Sequence, residues 1–235
     1  VDVEYRSSVG LVDLPGPAGS LALSGSGQHA LVPQNGAAAL LYAGIAILDH
    51  SAGSADSAEP HIHVYKLDPA LVDYPLLGPG RSFVSAVGGT FAVTFPNAKD
   101  TEPSALLFQE QSLQDEPPPA PMATEGLGAL AGPVQPFHEG LLVHRPEAIV
   151  YLDDAPAETA VLDCSDVTAH HVRAERAVFA CAGSVHALAP ADLPNGKAAL
   201  VASGLGAVRR VEAHPDLEKT LVLSESGVFL AADDN

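Results

Sequence analysis

The chain has 235 residues, 47% of them hydrophobic, and 29 acidic against 11 basic residues give it a formal net charge of −18 at pH 7. That apolar content can bury a core, which excludes a disordered acidic tail. The negative charge argues against nucleic acid or an anionic membrane as partner, because both are polyanions. No run approaches the ~20 apolar residues that span a bilayer, so no membrane insertion is expected.

Strand-like segments separated by turns recur along the whole chain. In chain order they are SLALSGSGQHALVPQ, AALLYAGIAILDH, HIHVYKLD, SFVSAVGGTFAVTF, SALLFQEQSL, PFHEGLLVHRPEAIVYLDD, AHHVRAERAVFACAGSVHAL and VRRVEAHPDLEKTLVLSESGVFLAADD. The 21 glycines and 20 prolines suit short strands joined by turns better than long helices. Units of roughly 40 residues are the period of propeller blades. We predict an all-β fold, a β-propeller of about five four-stranded blades, alone or as part of a larger propeller, over a single domain 1–235.

Two segments interrupt this pattern. Residues 49–60 are small, polar and acidic, which predicts a loop. Residues 114–128 are rich in proline, which predicts an extended linker between two blades.

The two cysteines, Cys164 and Cys181, lie at the ends of neighbouring predicted strands. That placement suits a disulfide in an oxidising compartment, and two buried free thiols are the alternative. No signal-peptide pattern follows Val1, so the chain is either cytoplasmic and trimmed or exported with its signal removed. A disulfide would favour export, which predicts a periplasmic or extracellular protein.

Histidine is unusually frequent, with ten residues, and the first cluster is His61-x-His63. Side chains at i and i+2 of a strand share a face, so both imidazoles can reach one metal ion. The preceding segment adds further possible ligands, which we predict to form a metal-capture loop: Asp49, His50, Asp56 and Glu59. A solvated acidic loop beside two surface imidazoles is the alternative.

Other histidines lie near the starts of later units: His138, the adjacent pair His170 and His171, and His214. Equivalent positions of successive blades surround one axis, so we expect these imidazoles to meet at the central channel. Adjacent side chains of a strand point to opposite faces, so only one of His170 and His171 would face the site. Neutral imidazoles with carboxylates suit Zn²⁺. His29 and His186 lie within apolar runs and are interpreted as structural.

Patterns typical of enzymes are missing. The chain has no Gly-x-Ser-x-Gly elbow, no phosphate-binding Gly-x-x-x-x-Gly-Lys loop and no His-Glu-x-x-His. We therefore predict a protein that is not an enzyme.

The order of these motifs resembles the periplasmic zinc metallochaperones of the AztD type, which are β-propellers associated with zinc ABC transporters. The resemblance runs from about Gly25 to the C-terminus. It rests on GSGQHALVPQ, GIAILDHSAG, EPHIHVYKLDPALVD, PFHEGLLV, DCSDVTAHHVRAERAVFACAGSVHAL and VRRVEAHPDLEKTLVLSESGVFLAAD.

This resemblance implies a function and a set of metal ligands. It implies zinc binding by His61, His63, His138, His170 or His171, and His214, and a disulfide between Cys164 and Cys181. It further implies delivery of zinc to the solute-binding protein of an ABC transporter. We also expect the protein to be a monomer. Two alternatives stay open: a propeller scaffold for protein interaction that binds no metal, and a propeller lactonase or hydrolase.

Overall fold

The computed structural model describes residues 11–18, 20–43, 45–49, 62–66, 68–153, 158–213 and 219–232. Within these ranges the fold is all-β, with two short 3₁₀ helices, Gln111–Gln114 and Pro190–Asn195. None of the helices in the described part is long and apolar enough to cross a bilayer.

The first two sheets are formed by the N-terminal half of the chain. Blade 1 contains β1 (Ala22–Leu23), β2 (His29–Tyr42), β5 (Ala70–Val72) and β6 (Leu77–Arg81). Strands β3 (Ile45–Asp49) and β4 (Ile62–Lys66) pair with each other in a separate hairpin. Blade 2 contains β7 (Phe83–Val87), β8 (Thr90–Thr94), β9 (Ala105–Gln109) and β10 (Met122–Thr124). The proline-rich segment 114–128 therefore carries the outer strand of blade 2.

The C-terminal half forms three further antiparallel sheets. Blade 3 contains β11 (Val134–Phe137), β12 (Gly140–His144), β13 (Ala148–Leu152) and β14 (Glu158–Asp163). Blade 4 contains β15 (Val167–Arg173), β16 (Arg176–Cys181), β17 (Ser184–Leu188) and β18 (Ala199–Ala202). Blade 5 contains β19 (Val208–Ala213), β20 (Lys219–Ser224) and β21 (Gly227–Ala232). The predicted fold class, a propeller of about five blades, is confirmed.

The blades pack face to face because each sheet carries apolar side chains on both sides. Four buried clusters fill the four successive junctions between blades 1 and 5. Phe91 and Phe95 fill the first junction and Phe179 the third, all of them fully buried. The first strand of each of blades 2 to 5 lies innermost, where β11 contacts both β7 and β15, and β15 contacts β19.

A disulfide joins Cys164, just after β14 of blade 3, to Cys181, the last residue of β16 in blade 4. Both cysteines are buried, and the bond closes a loop with a sequence separation of 17 residues. It fixes the segment that leads into β15, the strand that carries His170 and His171.

Replacing both cysteines by alanine is expected to lower the free energy of unfolding by about 3 kcal/mol, because a loop of this length gains entropy in the unfolded chain. For a chain of this size the melting temperature should fall by roughly 6–12 °C. Thermal unfolding followed by circular dichroism tests this, with the reduced wild-type protein as the matched control. An unchanged melting temperature in both samples would show that the bond does not stabilise the fold.

Candidate metal centre

A cavity of about 550 Å³ lies on the axis, at the end of the channel where the inner strands begin. Each of blades 2 to 5 contributes to its wall, through Val84, Pro133, His170 and Val211. Ser20 and Leu21, which precede β1, complete the wall on the side of blade 1. A residue that projects here from one strand can therefore meet side chains from several blades.

The hairpin registers assign equivalent positions to the inner strands. In the first hairpins of blades 3 and 4, Phe137 pairs with Gly140 and Arg173 pairs with Arg176, so these pairs are equivalent. Strands β15 and β19 each have a bulge at the same place, which aligns blade 5 with blade 4. The first set of equivalent residues is Val84, Val134, His170 and Val211. The next set is Ser85, Gln135, His171 and Glu212. In the first set His170 is the one polar residue and the other three are valines. In the second set, which contains His171, all four residues are polar.

His170 meets a second imidazole from the neighbouring blade. Its ring and that of His144, the last residue of β12, have centroids 5.1 Å apart and planes at 83°. Both residues line the cavity. Two imidazoles bound to one tetrahedral zinc ion have ring centroids roughly 5 Å apart, given Zn–N bonds of about 2.0–2.1 Å. The pair is therefore spaced as two ligands of one ion would be.

Gln135 sets the orientation of the His144 ring. Its Oε1 lies 3.1 Å from His144 Nε2, and both side chains are 3% exposed. Because an amide oxygen only accepts, Nε2 carries the hydrogen and donates it. Nδ1 is then left with its lone pair free, which is the arrangement that metal-binding histidines adopt.

Gly132 packs against the His144 ring on the side of this nitrogen. A Cβ atom built at Gly132 would lie 2.8 Å from His144 Nδ1. Any larger residue at position 132 would therefore crowd the ring at this nitrogen.

Burial keeps both rings neutral. Desolvation, and to a smaller extent the neighbouring His170, lower the pKa of His144 to about 3. The pKa of His170 falls to about 4, first because the ring lies deep in the molecule and then because of His171. More than a third of the His170 surface is open to the channel, so water offsets part of its desolvation. Neutral imidazoles are the form that binds metal.

His171 is engaged by charged neighbours. Arg173 Nε donates a hydrogen bond of 2.9 Å to its Nε2, and its Nδ1 lies 3.7 Å from Glu212 Oε2. Burial lowers the pKa of His171, and the nearby Glu212 carboxylate raises it in part. The guanidinium of Arg173 therefore uses the lone pair of the His171 ring. Of the two adjacent histidines, His170 is the one that lines the cavity, and it has no such cationic partner.

Of the remaining predicted ligands, those that the structure describes are not placed beside His144 and His170. His138 lies on the β11–β12 turn with φ 52°, at the opposite end of the hairpin from His144, roughly 13 Å away along the strand. His138 and His170 therefore occupy different positions in their blades. Asp49 ends β3 and His63 lies within β4. Four predicted residues fall outside the described ranges together with His214: His50, Asp56, Glu59 and His61. In the part of the chain described, no group of three or more His, Cys, Asp or Glu side chains could hold a metal ion.

The two histidines interpreted as structural have local partners. His29 Nδ1 lies 2.8 Å from Glu110 Oε1, which ties blade 1 to the end of β9. His186 Nε2 lies 2.9 Å from Ser184 Oγ on the same strand. Neither ring lines the cavity.

Three residues of the cluster were not among the predicted ligands: His144, Gln135 and Gly132. The signal for His144 is its place after the buried residues Leu142 and Val143, where a polar side chain needs a partner. The signal for Gln135 is a polar residue inside the otherwise apolar β11. Their proximity depends on packing between blades, which local sequence does not reveal.

No protein-family model and no curated protein sequence matches the chain. Solved structures match it in fold. The crystal structure of AztD from Citrobacter koseri superposes with a TM-score of 0.62 at 16% identity, over 95% of this chain and 64% of that one. Apo AztD from the same organism gives a TM-score of 0.63 at 15% identity, with the same coverage. The chain has the fold of AztD and spans less than two thirds of that protein's length.

Proposed function

We propose that the protein binds a zinc ion in the central channel and passes it to the solute-binding protein of a zinc ABC transporter. The observation that carries this proposal is the His144–His170 pair, with its centroid spacing of 5.1 Å in the wall of the cavity. The similarity in fold to AztD and the ordered motifs of the sequence support the same reading. The role is that of a carrier without catalytic activity.

Zinc is the ion that suits these donors. Two neutral imidazoles form half of a tetrahedral nitrogen-rich site, and soft or borderline donors disfavour Mg²⁺ and Ca²⁺. The formal charge of −18 raises the concentration of cations near the surface. Gln135 acts behind the site, since a hydrogen-bonded Nε2 fixes the ring and makes Nδ1 a better donor.

The other coordination positions would be filled by histidines from the predicted set. We propose His214, which follows β19 directly in the sequence, as the next ligand. His171 could join only by giving up its hydrogen bond from Arg173, and His138 lies too far from the pair to join it. We assign Asp49, His50, Asp56, Glu59, His61 and His63 to a capture segment that takes up zinc before it enters the channel. A site with few fixed ligands releases its ion one bond at a time, which suits a protein that passes metal on.

An extracytoplasmic location fits the disulfide, because such bonds persist in oxidising compartments. We propose that the protein works as a monomer in the periplasm or outside the cell.

Metal-free protein titrated with zinc against a chromophoric chelator tests the first half of the proposal. We expect one tightly bound ion per chain. Mixing the loaded protein with a metal-free solute-binding protein, and then measuring zinc in each after separation, tests the second half. Zinc that stays on the protein, or moves no faster than buffered free zinc does, would contradict delivery.

Replacing Gly132 by alanine places a methyl group 2.8 Å from His144 Nδ1, where the ion would lie. We expect zinc affinity to fall about tenfold or more, because a ligand nitrogen needs its metal at about 2.0–2.1 Å. Gly25→Ala is the matched control, since its Cβ atom meets only a backbone nitrogen at 3.7 Å. Equal affinity in the two variants, with both folded by circular dichroism, would show that Nδ1 is not a ligand.

A further inference from the structure

Two consecutive arginines, Arg209 and Arg210, line the same cavity as the histidine pair. They lie at a bulge of β19, where the register with β20 shifts between Val208 and Arg210. Strand β15 has its bulge at the equivalent place, and there the residues are Thr168 and Ala169. A bulge turns neighbouring side chains towards the same side, so blade 5 presents two cations where blade 4 presents small neutral groups.

Both guanidinium groups have hydrogen-bond donors to spare. Arg209 lies 3.6 Å from Glu225 Oε1, beyond hydrogen-bond length, and its side chain is 70% exposed. Arg210 contacts Glu212 Oε1 through Nε and Nη2, and its side chain is 71% exposed. A guanidinium has five N–H donors, so each can donate a hydrogen bond to a further oxygen. Exposed ion pairs of this kind are weak and exchange readily.

The charges around the cavity contrast with those of the whole chain. The cavity wall has three arginines, Arg145, Arg209 and Arg210, and one acidic residue, Asp166. Arg145 is held by Glu158 and by the carbonyl of Ala129, so it is a fixed part of the wall. The volume of about 550 Å³ far exceeds what one metal ion needs. There is room, and there is positive charge, for an anion beside the imidazoles.

We propose that Arg209 and Arg210 bind a carboxylate-bearing ligand that occupies the cavity together with the zinc ion. This inference rests on the proposed zinc site, because the anion would lie between the guanidiniums and the metal. A carboxylate is the anion that both arginines already contact within the chain, and it also binds zinc through oxygen. Its source is either a small dicarboxylate or an Asp or Glu side chain of a protein that exchanges metal with the cavity.

The charges of the two ligands predict that binding of the carboxylate and binding of zinc favour each other. Alone, the guanidiniums repel Zn²⁺, and a bound carboxylate cancels that repulsion. Each ligand therefore raises the affinity for the other by the same factor. Substitution of the arginines by neutral residues should strengthen zinc binding in the absence of the anion and remove the effect of the anion.

The test is zinc affinity of the metal-free protein, measured by chelator competition in chloride buffer and again with glutarate or with an acidic hexapeptide of alternating Asp and Glu. Glutarate and the peptide are weak zinc ligands, and their own binding is subtracted. The variant is Arg209→Gln with Arg210→Gln, and Arg209→Gln alone serves as a milder second variant. Lys197→Gln removes one positive charge, as Arg209→Gln alone does, from an exposed lysine outside the cavity wall and is the control.

For the wild type and the control we expect either probe to raise zinc affinity about threefold to tenfold, the size of effect that screened charges at this range produce. For the double variant we expect no response, and an affinity without probe about threefold above that of the wild type. A response to glutarate identifies a small carboxylate as the source, and a response to the peptide alone identifies a protein side chain. Zinc binding that neither probe changes would overturn the carboxylate site and leave the zinc proposal standing. Failure of the wild type to bind zinc at all would overturn both.

Discussion

Replacing His170 by alanine is expected to weaken zinc binding by about 100-fold or more. The ring provides one of the two imidazoles that the structure brings together, and its partner His144 alone cannot hold an ion tightly. The fold should survive, because more than a third of the His170 surface faces the channel and its loss leaves no sealed cavity. Competition titration against a chromophoric chelator measures the change in affinity.

Two further substitutions make this result specific. His186→Ala removes an imidazole from the same blade, bonded to Ser184 and outside the cavity wall, and should leave zinc affinity within about twofold. His171→Ala should weaken binding by less than His170→Ala does, because Arg173 already uses the lone pair of that ring. A larger loss in His171→Ala than in His170→Ala would move the site to the other face of β15.

The fold was accessible from the sequence because its signals are local. Alternating apolar residues and turn-forming glycines define hairpins such as β7–β8, where Gly88 and Gly89 have φ values of 57° and 85°. Repetition of such hairpins at a blade-like period then points to a propeller. The exception is 114–128, where proline content suggested only a linker although Met122–Thr124 pairs with β9. A three-residue edge strand carries too little pattern to detect.

The candidate site was less accessible because it depends on register and on contacts between blades. Sequence could say that only one of His170 and His171 faces a given side, and the structure places His170 in the cavity wall. It could not pair His170 with His144, because 26 positions of chain and a blade junction separate them. His138 illustrates the same limit, since PFHEGLLV looks like one strand although the chain reverses at His138 and Glu139.

The burial that positions His144 is expected to lower the free energy of unfolding at acidic pH. In the unfolded chain this imidazole takes up a proton near pH 6.5, whereas in the folded protein it does so only at about pH 3. Between these values the unfolded state binds more protons, so the free energy of unfolding falls as the pH is lowered. His144 alone should reduce it by about 2 kcal/mol between pH 7.5 and pH 5, at 1.36 kcal/mol per pKa unit.

Urea unfolding of the metal-free protein at the two pH values measures this loss, and His144→Gln separates it from the titration of the carboxylates. Glutamine does not titrate and can still donate to Gln135 Oε1, so the variant should lose about 2 kcal/mol less than the wild type over the same interval. His138→Gln, at an exposed histidine on a turn, is the control for the loss of an imidazole. If His144→Gln and wild type lost stability equally, the ring would be protonated in the folded protein at pH 5. That result would contradict the lowered pKa of His144.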